Sequence, residues 1–298
     1  MEKEKCFISV VFYVRNYEKY IEKFLTTILS QLDNHFEHYE LICVNNDSSD
    51  TTIKEVKDIC YSHNEDFVLN IINIAYCRSI EEAMSAGIDF AIGDFVYQFN
   101  SIIIDYEEDM IFEAYKAAIQ NNDIVIISPN KKYTLQQKIY YSIYNLGVKK
   151  DMRIQPERFH LLSRRVINRM DRISNSYTNN VAIFSRCGLK SKTICYTPSN
   201  LYIKYDKSEK SERLYKALES LIVYTNSIPY LMIAASIIFL VLCIINACLV
   251  NLLVSSIFFL CFILISLCTV ILQYLHILIN LNFKKQIHLI KSVDKVVK

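Results

Sequence analysis

Apolar residues in the first 130 positions follow two alternating patterns. Short apolar runs of five to eight residues are typical of buried strands, and they are separated by segments whose apolar residues recur every three or four positions. The runs predict strands at 6–13, 39–44, 67–74, 95–99 and 123–128, with a helix after each of the first four. This alternation predicts an α/β fold with a mostly parallel, Rossmann-like sheet and helices on both faces.

Polar residues cluster where these predicted strands end. Ligands of parallel sheets bind beyond the carboxyl ends of the strands. The candidate site is therefore lined by residues 14–16, 45–50, 76–79 and 100–105. The last segment is unusual, because Asn100 and Ser101 are followed by three isoleucines before the next carboxylate, Asp105.

The C-terminal part of the chain contains a long stretch without charge. No Asp, Glu, Lys or Arg occurs from 220 to 283, and a membrane span needs about 20 apolar residues. The stretch predicts two spans, 230–250 and 252–276. The alternative is a pair of buried helices in a soluble protein. Basic residues flank both ends of the stretch and are absent from the turn, so we expect both flanks to be cytoplasmic.

These features divide the chain into four predicted segments. They are a cytoplasmic α/β domain at 1–210, a juxtamembrane amphipathic helix at 211–227, two transmembrane helices at 228–283 and a basic cytoplasmic tail at 284–298. A second amphipathic stretch, 133–148, is flanked by lysines. Amphipathic helices beside a membrane hairpin can lie in the lipid interface. The alternative for both stretches is packing against the sheet.

Composition argues against several classes of function. The net charge is +2, and no basic stripe with interleaved aromatic residues indicates nucleic-acid binding. The ten cysteines lack the close spacing of a zinc or redox motif. The two predicted spans carry no charge, which argues against a channel or transporter, because transport sites usually need polar groups inside the membrane.

Several features in a fixed order resemble a known family. They are the turn at Asn16, the segments ELICVNNDSSDTT, EEAMSAGIDFAIGDFVYQF and FHLLSRRV, and the C-terminal hairpin. Together they resemble the family 2 glycosyltransferases, which have a GT-A fold, and in particular the polyprenyl-phosphate sugar transferases of the dolichyl-phosphate mannosyltransferase type. The resemblance implies a nucleotide-sugar donor, a divalent metal (Mg²⁺ or Mn²⁺), and transfer of the sugar to a polyprenyl phosphate at the cytoplasmic face of the membrane.

The resemblance assigns nucleotide binding to polar residues in the first two turns. Asn16 keeps the asparagine of the family's first turn, and Asp50 keeps the last acid of the second. Asn46 stands where the family has the acid that contacts the nucleoside, and an amide can hydrogen-bond a uracil edge or a ribose. Capping of the following helix by Ser48, Ser49 or Asp50 explains those residues equally well.

The resemblance places the family's metal-binding acids at the end of the fourth predicted strand. Asn100, Ile102 and Ile104 occupy the positions of its Asp-x-Asp motif and following glutamine. Isoleucine cannot ligate Mg²⁺ or Mn²⁺, which prefer oxygen, so no residue is assigned to a metal. Asn100 is a candidate for contact with the donor diphosphate. Asp105 matches an acid just after the motif and is the candidate catalytic residue; a slipped alignment that makes it the metal ligand breaks the spacing from the preceding Gly-Asp pair.

The resemblance also assigns an acceptor site. Ser163, Arg164 and Arg165 match the family's Ser-Arg-Arg, in which arginine meets the lipid phosphate. His160 stands where an arginine is common. Bidentate pairing of arginine with phosphate gives the mechanism, and the alternative is a solvated basic face beneath the membrane.

Two functions remain open from the sequence. The first is a membrane-anchored transferase that moves a sugar from a nucleotide-sugar to a polyprenyl phosphate. The second is a catalytically inactive homologue that acts as a binding or scaffold partner, since the family's metal acids are replaced. Either protein could act alone or as a homo- or hetero-oligomer.

Overall fold

The computed structural model of the chain describes residues 3–63, 67–77, 80–130, 135–146, 156–173, 188–199, 227–248, 252–282 and 289–296. Residues 211–226 of the amphipathic helix expected at 211–227 lie outside these residues. The stretch expected at 133–148 is described in part, as a helix at Leu135–Tyr144.

Strands and helices alternate through the first 130 residues, as the apolar pattern predicts. The described strands are β1 (Glu4–Val14), β2 (Phe36–Asn45), β3 (Val68–Tyr76), β4 (Phe95–Phe99), β5 (Ile124–Pro129), β6 (Phe159–Ser163), β7 (Ser191–Tyr196) and β8 (Leu289–Val296). The described helices are α1 (Glu18–His35), α2 (Thr52–Ser62), α3 (Ile80–Phe90), α4 (Met110–Ile119), α5 (Leu135–Tyr144), α6 (Arg164–Ile173), α7 (Ser227–Cys248) and α8 (Leu252–Asn282).

The described strands form one sheet, in the order β7-β5-β6-β4-β1-β2-β3-β8. β6 and β8 run antiparallel to their neighbours and the other strands are parallel, which confirms the predicted mostly parallel sheet. The chain leaves β1 toward β2 on one side, whereas β4 lies on the other side of β1. The strand order therefore reverses between β1 and β4, and such a switch point opens a crevice at the carboxyl ends of the two strands.

Helices cover both faces of this sheet. α1, α2 and α4 pack on one face, where the ring of Phe24 in α1 lies 5.2 Å from the rings of Phe12 and Phe99. α3 and α6 pack on the other face, around Met84 and Val166. The helices are thus placed as the predicted fold class requires, and the sheet presents one edge where loops from β1, β2 and β4 meet.

The chain divides into two compact units, and α5, α7 and α8 belong to the second. α7 and α8 are long and apolar enough to cross a membrane, with mean hydropathy 2.7 over both Tyr230–Cys248 and Leu253–Leu275. They pack against each other, and Oγ of Ser255 in α8 donates a hydrogen bond to the carbonyl of Cys243 in α7 at 3.0 Å. Only 6% and 11% of the two segments is buried, so most of their apolar surface faces outward.

The C-terminal segment contains an edge strand, which corrects the expectation of a tail at 284–298. β8 pairs antiparallel with β3, and Asp294 of β8 forms an ion pair with Lys57 of α2 at 3.4 Å. Lys291 and Lys295, which made the segment look like a basic tail, lie on this strand. Charged side chains are common on edge strands because they discourage pairing with other chains.

Candidate functional site

The loops after β1 and β2 are locked together at the carboxyl edge of the sheet. Asn16 has a left-handed backbone conformation with φ of 56°, which asparagine tolerates better than most residues. Its Oδ1 accepts a hydrogen bond from the backbone N–H of Ser49 at 2.8 Å, and its own N–H donates to Oγ of Ser48 at 3.2 Å. Asn16 is therefore placed at the predicted site, where it fixes the shape of both loops.

Asp50 caps two helices at once. Its carboxylate accepts hydrogen bonds from the backbone N–H of Thr52, at 3.0 Å, and of Glu18, at 3.2 Å, which begin α2 and α1. Burial alone would raise the pKa of Asp50, but these hydrogen bonds outweigh burial and lower it. These contacts are those of a helix-capping residue, the alternative that the sequence left open for Asp50. Asp50 therefore shapes the site by fixing where α1 and α2 begin.

Asn46 and Tyr13 form a polar pair beside these loops. Nδ2 of Asn46 donates to the hydroxyl of Tyr13 at 2.8 Å. Among the described residues no group donates to Oδ1 of Asn46, so this oxygen is available to accept. Burial raises the pKa of Tyr13 to about 12, although the hydrogen bond from Asn46 opposes the rise. The pair thus offers one acceptor, the amide oxygen, and one neutral O–H donor.

A line of hydrogen bonds connects this site to the C-terminal strand. Oδ1 of Asn45 accepts from the backbone N–H of Ser48, and Nδ2 of Asn45 donates to Oδ1 of Asn73 in β3 at 2.8 Å. Nδ2 of Asn73 in turn donates to Oγ of Ser292 in β8 at 2.9 Å. β8 therefore supports the second loop from the outer edge of the sheet.

The end of β4 does not carry a metal site. Ile102 and Ile104 are 1% and 6% exposed and pack in the core. Oδ1 of Asn100 already accepts a hydrogen bond from Gln98 at 3.3 Å. Within the described ranges, no group of three His, Cys, Asp or Glu side chains is placed to hold a metal ion. The residues that the structure describes at this strand end therefore do not fit the divalent metal that the family implies.

Asp105 lies in a buried cluster. The residue is 2% exposed, its carboxylate forms an ion pair with Arg158, and it accepts a hydrogen bond from the hydroxyl of Tyr196 at 2.6 Å. Nε of Arg158 donates to the same hydroxyl at 3.2 Å. Burial would lower the pKa of Arg158, but Tyr196 and Asp105 outweigh it and raise the pKa. The cluster joins the segment after β4 to the start of β6 and the end of β7.

A buried polar pair lies behind Asn100. Gln98 of β4 and His160 of β6 pair across the sheet and are fully buried, with Oε1 of Gln98 2.5 Å from Nε2 of His160. Nε2 of Gln98 then donates to Oδ1 of Asn100. His160, where the family often has an arginine, is thus part of the support for Asn100.

Ser163, Arg164 and Arg165 lie at the opposite edge of the sheet from the other predicted site residues. β6 is antiparallel, so Ser163 pairs with Phe95 at the start of β4. Asn100 is five residues farther along, which corresponds to about 16 Å at 3.3 Å per residue. The structure does not bring the predicted acceptor residues together with the crevice between β1 and β4.

Protein contacts also engage this Ser-Arg-Arg segment. Oγ of Ser163 donates to Oδ1 of Asp123 at 3.0 Å, and Nε of Arg164 donates to the carbonyl of Gly93 at 2.9 Å. Arg165, with a side chain 69% exposed, lies 3.9 Å from Asp123. The first two residues of the motif therefore have structural partners within the protein, and binding of the acceptor phosphate by the motif stays a prediction.

Four residues that the sequence did not single out lie near the carboxyl edge of the sheet, beside the crevice or in the Asp105 cluster. Tyr13 and Gln98 lie within strands. A polar residue among apolar neighbours was the feature of the sequence that could have indicated them. Arg158 and Tyr196 come from segments with no clear apolar period. Their contact with Asp105 joins positions 53 and 91 residues apart, a pairing that no local pattern indicates.

The family of the chain follows from its sequence together with this fold. Residues 9–171, more than half of the chain, match the model described as glycosyl transferase family 2. The chain belongs to glycosyl transferase family 2. The matched region runs from β1 through α6 and contains the crevice between β1 and β4.

Two curated relatives agree with this membership. The chain is 30% identical over 171 residues to the "Uncharacterized glycosyltransferase sll0501" of Synechocystis, covering 54% of this chain and 51% of that protein. It is 25% identical over 169 residues to the "Putative glycosyltransferase CsbB" of Bacillus subtilis, covering 54% and 49%. The matched part of the chain therefore spans about half the length of these curated relatives.

Solved structures of other glycosyltransferases share the fold. The mannosyltransferase PcManGT from Pyrobaculum calidifontis, in complex with GDP-Man and Mn²⁺, is 15% identical with a TM-score of 0.52, over 95% of this chain and 89% of its own. Glucosyl-3-phosphoglycerate synthase from Mycobacterium tuberculosis, in complex with UDP, is 14% identical with a TM-score of 0.53, over 72% and 80%. At these identities the likeness establishes a GT-A-like fold and not a shared substrate.

Proposed function

We propose that this family 2 protein is a membrane-anchored glycosyltransferase that transfers a sugar from a nucleotide-sugar donor to a polyprenyl phosphate. The family membership supports the transfer reaction. The acceptor is proposed because the chain carries an apolar hairpin, and a sugar acceptor that is itself embedded in lipid gives such a hairpin a function.

The observation that carries the proposal is the position of the hairpin between two strands of one sheet. β7 precedes α7 and α8 in the chain, and β8 follows them. Both strands belong to the same folded sheet, so both ends of the hairpin must emerge on the same side of any membrane that it crosses. The basic flanks support a cytoplasmic location for that side, where nucleotide-sugars are available.

Each predicted donor-site residue has a proposed role. Asn46 and Tyr13 would contact the nucleoside, with the amide oxygen accepting and the phenol donating. Asn100, at the switch point, would lie beside the diphosphate. Asn16 and Asp50 would hold the loops in place, and Asp105 would position the segment after β4 through its buried ion pair.

A direct assay tests this function. Full-length protein in detergent is mixed with UDP- or GDP-linked radiolabelled sugars and a short polyprenyl phosphate, and lipid-linked sugar is separated by organic extraction. We expect label in the lipid fraction and an equal release of nucleoside diphosphate. 3-Phosphoglycerate serves as the water-soluble comparison acceptor. Transfer to phosphoglycerate but not to lipid would reject the proposed acceptor.

A second candidate function is a catalytically inactive homologue that binds its ligands or a protein partner. The buried isoleucines at 102 and 104 and the internal pairing of Asp105 favour it. This function predicts nucleotide binding by calorimetry without any transfer, with every donor and acceptor pair. Measurable turnover with any pair would eliminate it.

Reporter fusions test the topology. The reporter is an enzyme that works only outside the cytoplasm. Fused after position 250, between the two helices, it should be active. The same reporter fused after position 298, behind β8, should be inactive. Activity at both positions, or at neither, would contradict a hairpin whose ends share one side.

A further inference from the structure

The position that holds a metal-binding acid in the family presents a hydrogen-bond donor in this chain. Oδ1 of Asn100 is occupied by the N–H of Gln98, so Nδ2 is the group of the amide left to meet a ligand. A carboxylate at this position would need a cation between itself and a phosphate. An amide N–H can bond a phosphate oxygen directly.

Two fully buried residues set this orientation. His160 Nε2 lies 2.5 Å from Oε1 of Gln98, so Nε2 carries the hydrogen and Gln98 accepts. The Gln98 amide then points its N–H toward Asn100. Because water has no access to this pair, the direction of the hydrogen bonds is held by the protein.

A permanent positive charge follows the end of the neighbouring strand, β1. Arg15 directly follows the end of β1, its side chain is exposed, and it forms no ion pair with a described residue. β1 and β4 are neighbours, with Phe12 paired to Phe99, so Arg15 and Asn100 leave adjacent strands at the switch point. Arginine stays charged at all working pH values and bonds phosphate in a bidentate manner.

We propose that this chain binds the diphosphate of its donor without a divalent metal, through the Asn100 amide N–H and the Arg15 guanidinium. The proposal rests on the proposed function, since it concerns the donor of that reaction. In metal-dependent relatives a metal supplies the positive charge beside the diphosphate, and here an arginine would supply it. Isoleucines can then occupy the neighbouring positions, because no metal has to be held there.

Calorimetry with UDP and GDP tests the proposal on the full-length protein in detergent. Each nucleotide is titrated once in excess EDTA and once with Mn²⁺. We expect the dissociation constant of the better nucleotide to agree within about twofold between the two conditions, as binding without a metal requires. A gain of about tenfold or more with Mn²⁺ would overturn the inference and leave the proposed function standing. Absence of binding under both conditions would reject both.

Three substitutions locate the binding groups. Asn100→Asp replaces the donor by an acid, so affinity in EDTA should fall about tenfold or more, and Mn²⁺ should restore part of it. Arg15→Gln should weaken binding about tenfold in EDTA. Lys192→Gln is the control, since this exposed lysine lies near the start of β7, away from the crevice, and it should leave affinity unchanged. Equal affinity of the Asn100→Asp and wild-type proteins in EDTA would contradict the role of the amide.

The orientation of Asn100 has its own test. Gln98→Glu preserves shape but offers only acceptors, so Asn100 should turn its N–H inward and its oxygen toward the ligand. Affinity in EDTA should fall as it does for Asn100→Asp, with an unchanged circular dichroism spectrum. Should this buried variant fail to fold, the Asn100 and Arg15 variants, which alter the loops at the crevice, still decide the proposal.

Discussion

Replacement of Asp105 by asparagine removes one charge from the buried cluster and keeps the shape of the side chain. The Arg158 guanidinium, whose side chain is 11% exposed, would then remain inside the protein without its counter-ion. The Tyr196 hydroxyl could still donate to the new amide oxygen. The perturbation therefore isolates the ion pair from the packing around it.

The expected magnitude follows from this burial. Loss of one partner of a buried ion pair costs about 3–5 kcal/mol, and the partial exposure of Arg158 favours about 3 kcal/mol, the lower end of that range. In a domain of about 200 residues, 1 kcal/mol lowers Tm by about 2–4 °C. Asp105→Asn should therefore lower the Tm of the α/β unit by about 6–12 °C.

Thermal unfolding of the full-length protein in detergent measures this effect. The chain has 21 tyrosines and no tryptophan, so near-UV circular dichroism of tyrosine reports tertiary packing. Asp109→Asn, at an exposed carboxylate that forms no capping hydrogen bond, is the matched control and should change Tm little. A Tm unchanged by Asp105→Asn would refute the buried ion pair.

A double variant separates positioning from catalysis. Asp105→Asn with Arg158→Gln removes both charges, so it should recover part of the lost stability. If Asp105 acts by positioning, transfer activity should return with stability. Activity that stays absent in the stable double variant would show that the carboxylate itself takes part in the reaction.

Three further predictions concern the supports of the site. Gly93→Ala should cost about 1–3 kcal/mol in urea unfolding, because its Cβ would lie 2.6 Å from the backbone nitrogen of Ser9; full stability would contradict that approach. Asp50→Ala should cost about 1 kcal/mol at pH 7 as a lost helix cap. Folding lowers the pKa of Asp50 from its ordinary value of 3.8, so the charge-dependent part of the stability difference between wild type and Asp50→Ala should be fully present above pH 3.8. It should fade as the pH drops through the folded-state pKa. A stability difference that grows in acid would contradict a lowered pKa. Removal of residues 289–298 should lower Tm and cause association visible by size-exclusion chromatography, because the edge of β3 becomes exposed; a stable monomer would contradict the role of β8.

The elements from β1 to α4 were predictable because each follows from a local apolar period. α1 shows this most clearly, since Ile21, Phe24, Leu25, Ile28 and Leu32 recur at helical spacing and all are buried. The switch point could not be predicted from a local period, because the position of β4 beside β1 depends on the path of α3 across the sheet. Sequence reasoning therefore located the carboxyl edge of the sheet, where we propose that the donor binds, but it did not give the strand order.

β6 and β8 were not predicted as strands, and both are antiparallel. FHLLS in β6 was interpreted only as part of a basic motif, because Arg164 and Arg165 follow it. The direction of β6 decides which edge these arginines reach, and direction is a property of the whole sheet. The family motif therefore led us to expect acceptor residues beside the crevice, whereas the structure places Ser163, Arg164 and Arg165 at the opposite edge of the sheet.

Residue identities carried over from the family are also insufficient to decide whether the protein is active. Loss of the family's acids at Ile102 and Ile104 suggests a lost site only if a metal is the sole means of holding a diphosphate. The polar residues around the crevice are nevertheless ordered: Gln98 is buried to direct Asn100, and Asn16 adopts a left-handed backbone to join two loops. Each of these arrangements has a cost in burial or backbone strain. A site that had only been lost would give no reason for such costs, whereas a site that binds a diphosphate through N–H groups and an arginine does.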